Sequence, residues 1–137
     1  MPGEGRHPMI LTKTHDVLVV EDDRELREAV GSILQEEGCS VRAAGNGVEA
    51  LTLLRGEARP CIILLDLMMP VMNGWQFLEQ RKSDAQLEEI PVVVMSAYLD
   101  MPGFAAPHLP VEATLKKPLD LNRLLDSVNS HCNCQSK

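Results

Sequence analysis

Cys61-Ile62-Ile63-Leu64-Leu65-Asp66 is an apolar run that ends on a carboxylate and is preceded by Pro60. A run this short, bounded by a breaker and carrying β-branched side chains, reads as a strand. It lacks the polar alternation of a half-solvated strand, so it reads as one covered on both faces, as in a parallel sheet. What flanks it decides the fold, because the same unit recurs on either side.

Upstream, Val17-Leu18-Val19-Val20 is a second apolar run, followed at once by Glu21 and Asp22 and then by Leu26, Ala29, Val30, Ile33 and Leu34 at helical spacing. Gly38 stops that helix, Ser40 to Ala44 forms a weaker strand, and Asn46 with Glu49 resembles a capping box. Val48, Leu51 and Leu54 mark a second helix, ending at Gly56. Downstream, Asn73-Gly74 opens a third helix with Trp75, Phe77 and Leu78, and Pro91 opens the strand Val92-Val93-Val94-Met95. The fifth unit is a strand at Ala113 to Lys116 and an Asp120-capped helix with Leu121, Leu124, Leu125 and Val128 on one face.

Strands alternating with helices five times predict an α/β protein: a doubly wound five-stranded parallel sheet with right-handed crossovers and helices on both faces. One unit is irregular. Residues 99–110 carry Pro102, Gly103, Pro107 and Pro110 where the fourth helix belongs, so that helix is expected to be short or distorted. The reading gives a mobile leader over residues 1–14, one domain over 15–131 and a flexible tail over 132–137.

The totals exclude several functions. A chain of 137 residues fits one domain, and 45% hydrophobic with 24% charged residues is the composition of an ordinary globular protein. A net charge of −7 without a block of Lys and Arg argues against direct binding to nucleic acid or to an anionic membrane. No apolar stretch approaches the ~20 residues of a membrane helix, and the start MPGEGRHP lacks a secretory apolar core, so a cytoplasmic location is expected. Cys39 and Cys61 lie in apolar segments and Cys132 and Cys134 in a polar tail, which is not a disulfide framework.

Ligands of such sheets bind at the carboxyl ends of the strands. There the sequence places Glu21-Asp22, Asp66, Ser96 and Lys117, after the first, third, fourth and fifth strands. Gathered carboxylates repel one another unless a cation lies among them, and magnesium suits oxygen donors. Lys117 adds an ammonium and Ser96 a hydroxyl donor. Phosphoryl transfer asks mainly for positioning and for neutralised oxygens, so this set points to that chemistry with Asp66 as nucleophile.

The stretches VLVVEDD (17–23), IILLDLMMPVMNGW (62–75), VVVMSA (92–97) and LKKP (115–118) together resemble the signature stretches of receiver domains in two-component signalling, over about Asp16 to Ser130. The resemblance implies a flavodoxin-like sheet of order 2-1-3-4-5, with Glu21 and Asp22 as the acidic pair and Asp66 as phosphoacceptor. Ser96 would be the switch hydroxyl and Lys117, directly before Pro118, the pocket lysine. Glu21, Asp22 and Asp66 would hold magnesium (or manganese) with the backbone carbonyl of Met68. A histidine kinase or histidine phosphotransfer protein would be the donor and an unidentified protein the downstream target. The chain would catalyse only the phosphorylation and dephosphorylation of its own Asp66, and its ends favour a stand-alone regulator.

The sequence departs from the family at Thr114, where many members carry an aromatic, and in the proline-broken segment 99–110, part of the surface partners read in the family. These departures keep a second function open, a receiver-fold binding module that works without phosphorylation. A phosphohydrolase acting on external esters is disfavoured, since Asp66-Leu67-Met68 lacks a second acid. Blander roles also exist: Asp22 could cap the first helix with Glu25 as its box partner, and His131-Cys132-Asn133-Cys134 lacks the spacing of a zinc site. Trp75 and Phe77 read as core, and His7, His15 and His108 as surface residues.

Overall fold

The computed structural model describes residues 15–56, 58–98 and 111–131. In chain order the elements are β1 (Asp16–Val20), α1 (Arg24–Glu36), β2 (Ser40–Ala44), α2 (Gly47–Arg55), β3 (Ile62–Asp66), α3 (Gly74–Lys82), α4 (Ala85–Glu88), β4 (Val92–Ser96), β5 (Ala113–Lys116) and α5 (Leu121–His131). The strands form one parallel sheet of order β2-β1-β3-β4-β5, the predicted order, with β3 at its centre.

Strand periodicity sorts the core into two layers, because alternate side chains leave the sheet on opposite faces. Leu18, Val20, Ile63, Leu65, Val92 and Val94 face α2 and α3, where Leu51, Leu54, Phe77 and Leu78 close over them. Val17, Val19, Ile62, Leu64, Val93 and Met95 face α1 and α5, meeting Val30, Leu34, Leu124 and Val128. Every residue of β3 and of β4 is buried, as the unbroken apolar runs require. Each such aliphatic side chain contributes about 1.5–3 kcal/mol of burial, so the sheet centre is the stiffest platform for a site at its rim.

Local signals account for most of the boundaries. Gly38, after α1, has φ of +99°, a left-handed turn that suits glycine. Asn46 Oδ1 accepts from Glu49 N at the start of α2, and Asn73 and Gln76 form a reciprocal capping box at the start of α3. Asp120 Oδ1 accepts from Arg123 N before α5, as expected.

Four readings change. Asp23 rather than Asp22 caps α1, its side chain accepting from Leu26 N, because β1 delivers the chain one residue further before the helix turns. His15 is buried, not exposed, since its carbonyl accepts from Ser40 N and draws it under the sheet edge. The four-residue α4 between α3 and β4 was not anticipated. Cys61 is disulfide-bonded. Phe77 is fully buried and Trp75 packs partly exposed against the same cluster. The irregular segment 99–110, the leader, the tail cysteines, His7 and His108 lie outside the described residues. Among the described residues no helix is long and apolar enough to cross a membrane.

Candidate functional site

Sheet register brings the candidate residues together. Val20 pairs with Leu65, so Glu21 and Asp66 occupy the next row of neighbouring strands. Asp66 pairs with Met95 and Ser96 with Lys116, which puts Ser96 and Lys117 one step further along the same rim. The cluster therefore follows from strand length and register, and not from any local motif.

Glu21 is the most tightly held member. Its N–H donates to Ala44 O at 3.0 Å, its carbonyl accepts from Arg27 Nη1 at 2.8 Å, and its Oε2 accepts from Asp23 N at 3.1 Å. Lys117 Nζ reaches its Oε1 at 2.6 Å and Asp66 Oδ1 at 3.3 Å. Lys117 itself is anchored by its N–H donating to Ser96 O at 2.9 Å, and the Lys117-Pro118 peptide is cis.

Glu21, Asp66 and Ser96 are buried, whereas Asp22 is exposed. One carboxylate oxygen from each of Glu21, Asp22 and Asp66 lies within 4.8 Å of the others. An all-oxygen set, closed on the protein side and open at Asp22 to water, fits a small hard divalent cation that keeps part of its hydration shell. Met68 has an exposed side chain, and its soft thioether is no ligand for such a hard cation.

The electrostatics are those of crowded acids around one ammonium. Burial, and then Glu21, push the Asp66 carboxyl up to about 6; Lys117 opposes this and Asp22 adds to it. Burial acts to lower the Lys117 ammonium, but the hydrogen bond it donates to Glu21 and the charges of Asp66 and Glu21 outweigh it, so its pKa is raised. The pocket is thus short of positive charge by its own composition.

The loop after β3 is shaped by close contact. Gly74 N donates to Leu67 O at 2.9 Å, and a Cβ at Gly74 would come within 2.7 Å of Asp66 O and of Leu67 Cα. Gly47 N donates to Met72 O, tying this loop to the start of α2. Ser96 Oγ accepts from Tyr98 N at 3.0 Å, and Thr114 is exposed on β5 opposite Val94. Sequence reasoning missed Arg27 and Asp23. An Arg in the first turn of an amphipathic helix looks like any solvated charge, and in Glu21-Asp22-Asp23 the capping acid is decided only by the backbone.

Known proteins resemble the chain over most of its length. The response regulator receiver domain family matches residues 17–129, and the chain belongs to that family. It is 39% identical to the Regulator of RpoS of Escherichia coli over 114 residues, 82% of this chain and 33% of that protein. It is 32% identical to the uncharacterized 14.6 kDa protein in the sodA1 3' region of Leptolyngbya boryana, over 85% of this chain and 89% of that one. Its fold matches the chemotaxis response regulator CheY4 of Vibrio cholerae with a TM-score of 0.77 and 28% identity, over 86% of this chain and 98% of that chain. The chain thus spans about a third of the E. coli relative and nearly all of the others. It is a receiver domain of the two-component class.

Proposed function

We propose that the chain is a phosphorylation switch in which Asp66 takes a phosphoryl group from a phosphohistidine of a histidine kinase or histidine phosphotransfer protein and signals through contacts with a downstream protein. The observation that carries this reading is the convergence of Glu21, Asp22 and Asp66, with Lys117 Nζ touching two of them. Three acids and one ammonium in a partly buried site are poorly balanced as a structural ion pair and well matched to a cation and a phosphoryl group.

In the reaction an Asp66 carboxylate oxygen attacks phosphorus in line, the N–P bond of the donor breaks, and the imidazole leaves with its electron pair. Asp66's raised basicity favours the attack, and at neutral pH the carboxylate form still prevails. Lys117 exchanges part of its contact with Asp66 for a phosphoryl oxygen. Ser96 donates its hydroxyl hydrogen to a second oxygen, a role compatible with its Oγ accepting from Tyr98 N. Glu21, Asp22, Asp66 and the Met68 carbonyl would hold magnesium or manganese, which would supply neutralisation of charge on the transferred oxygens. Hydrolysis of the acyl phosphate by water resets the switch, so the catalysis is confined to the chain's own aspartate. A cytoplasmic setting follows from such donors.

Acetyl phosphate, a small donor, tests the reading without the kinase. Intact mass after incubation with magnesium should show one added phosphoryl group on the chain and none on Asp66→Asn or when EDTA replaces magnesium. A chain that gains nothing under any of these conditions would instead be the phosphorylation-independent binding module.

A further inference from the structure

Arg27 takes no part in the phosphoryl transfer itself, yet its side chain ends at the backbone of the acidic cluster. It lies in the first turn of α1, half-buried, and its Nη1 donates to Glu21 O at 2.8 Å. That carbonyl belongs to the peptide joining Glu21 to Asp22. The plane of this peptide sets ψ of Glu21 and φ of Asp22, and with them the direction in which each carboxylate leaves the chain. The two side chains are restrained very differently. Glu21 is buried, with Lys117 Nζ on its Oε1 and Asp23 N on its Oε2. Asp22 is exposed, so its carboxylate is aimed chiefly by its backbone.

The guanidinium is itself confined from the far side. Glu21 N donates to Ala44 O at 3.0 Å, and the next residue, Gly45, donates its N–H to Glu49 Oε1 at 2.7 Å. A Cβ at Gly45 would stand 3.4 Å from Arg27 Nη1 and 3.4 Å from Glu49 Oε1, so the guanidinium lies close against the turn between β2 and α2. Both backbone groups of Glu21 are thus tied, the N–H to the end of β2 and the C=O to α1. Arg24 shares α1 but pairs with Glu28 at 3.0 Å in the open, both side chains being well exposed. Coulomb repulsion makes either arginine adverse to a divalent cation nearby; Arg27 alone of the two has a contact with the cluster that opposes this.

We propose, on the reading that Glu21, Asp22 and Asp66 seat magnesium or manganese, that Arg27 is a positioning residue of that cation site. By holding the peptide between Glu21 and Asp22 it keeps the Asp22 carboxylate aimed at those of Glu21 and Asp66, one oxygen of each lying within 4.8 Å of the others. Groups that orient metal ligands without touching the ion govern affinity, and their removal weakens it by roughly 10–100-fold. Sign separates this role from the charge of Arg27. Loss of a nearby positive charge tightens cation binding, whereas loss of the hydrogen bond frees the peptide to turn and weakens it.

The test titrates the full chain with manganese, the free ion being counted by electron paramagnetic resonance. Arg27→Met keeps the aliphatic stem and removes the donors, and should bind roughly 10-fold more weakly than the parent. Arg24→Ala also removes one positive charge from α1 and should bind as the parent does or slightly more tightly. Arg27→Lys restores the charge and one point donor without the guanidinium fork, so it should fall between Arg27→Met and the parent. Labelling by acetyl phosphate gives a second readout. In Arg27→Met the half-saturating magnesium concentration should rise by about the same factor, while the rate at saturating magnesium stays within about 2-fold of the parent. Destabilisation alone would lower that plateau and leave the half-saturation point in place. Manganese bound by Arg27→Met as tightly as by the parent, or more tightly, would overturn the proposal, as would an equal loss in Arg24→Ala; if Arg27→Met does not fold, parent-like binding by Arg27→Lys overturns it. A parent that binds no manganese would overturn the reading of the three acids as a cation site, and the proposal with it.

Discussion

Lys117 and Glu21 are 96 residues apart in the chain and meet at 2.6 Å, Nζ to Oε1, with the Glu21 side chain 1% exposed. A carboxylate so completely removed from water depends on its partner, because an unpaired buried charge costs far more than the pair contributes.

Lys117→Met keeps the aliphatic stem and removes the ammonium, leaving Glu21 and Asp66 to repel each other. In EDTA this variant should lose about 2–4 kcal/mol in urea unfolding. Millimolar magnesium should restore part of the loss, since a cation among the three acids replaces the missing charge. A variant that matches the parent in EDTA, or that ignores magnesium, would show that the ammonium does not hold the cluster together.

The Asp66 carboxyl, pushed up to about 6 by burial and by Glu21, has an ordinary value of 3.8. The folded chain thus binds this proton more tightly than the unfolded one. The associated stability is fully present below pH 3.8 and is lost as pH rises through 6. Asn carries no such proton and escapes the loss. In EDTA at pH 7.5 Asp66→Asn should therefore be the more stable protein by on the order of 1–3 kcal/mol, and the difference should close toward pH 4. Urea midpoints across that range decide it, and a parent more stable than the variant at pH 7.5 contradicts the sign.

Why some of this was legible in the sequence and some was not has a physical basis. β3 and β4 were legible because a strand buried on both faces cannot hide polar residues, and Glu21, Asp66 and Ser96 because each directly follows or ends an apolar strand, whereas Lys117 follows the mostly unburied edge strand β5 and was legible from the Pro118 beside it. Register then does the rest. The four residues of α4 are too few to show a helical period. His15 looked like a loop residue because burial of a polar side chain leaves no apolar signature. The Arg27 contact to the Glu21 carbonyl spans only six residues but depends on how α1 leaves β1, and nothing in the spacing of the cysteines marks Cys61 as bonded.

Two glycines near the site should respond differently to the same methyl group. At Gly74 a Cβ meets backbone, Asp66 O and Leu67 Cα, both at 2.7 Å, so the strand end carrying Asp66 must move. At Gly47 it meets the Met72 side chain, Cγ at 2.6 Å, which can swing away. Gly74→Ala should cost about 1–3 kcal/mol and slow labelling by acetyl phosphate, while Gly47→Ala should cost less than half as much and label normally. Equal costs at the two positions would mean that the backbone around Asp66 is softer than its contacts imply.

Val71 lies in the loop after β3 with φ of 68° and is 78% exposed. A β-branched residue in the left-handed region bears a cost of roughly 1–2 kcal/mol that its exposed side chain cannot recover through packing. Asn enters that region more easily, and the turn itself is fixed by Met72 N donating to Pro70 O at 2.7 Å and by Gly47 N donating to Met72 O at 3.0 Å. Val71→Asn should therefore raise the unfolding free energy by about 0.5–1 kcal/mol, read as a higher urea midpoint with an unchanged slope. Val71→Ala keeps a Cβ in the same conformation and should gain less. Because the loop keeps its hydrogen bonds, the Asn variant should label with acetyl phosphate at least as fast as the parent. A stabilised variant that labels more slowly would show instead that the strained turn contributes to positioning Asp66.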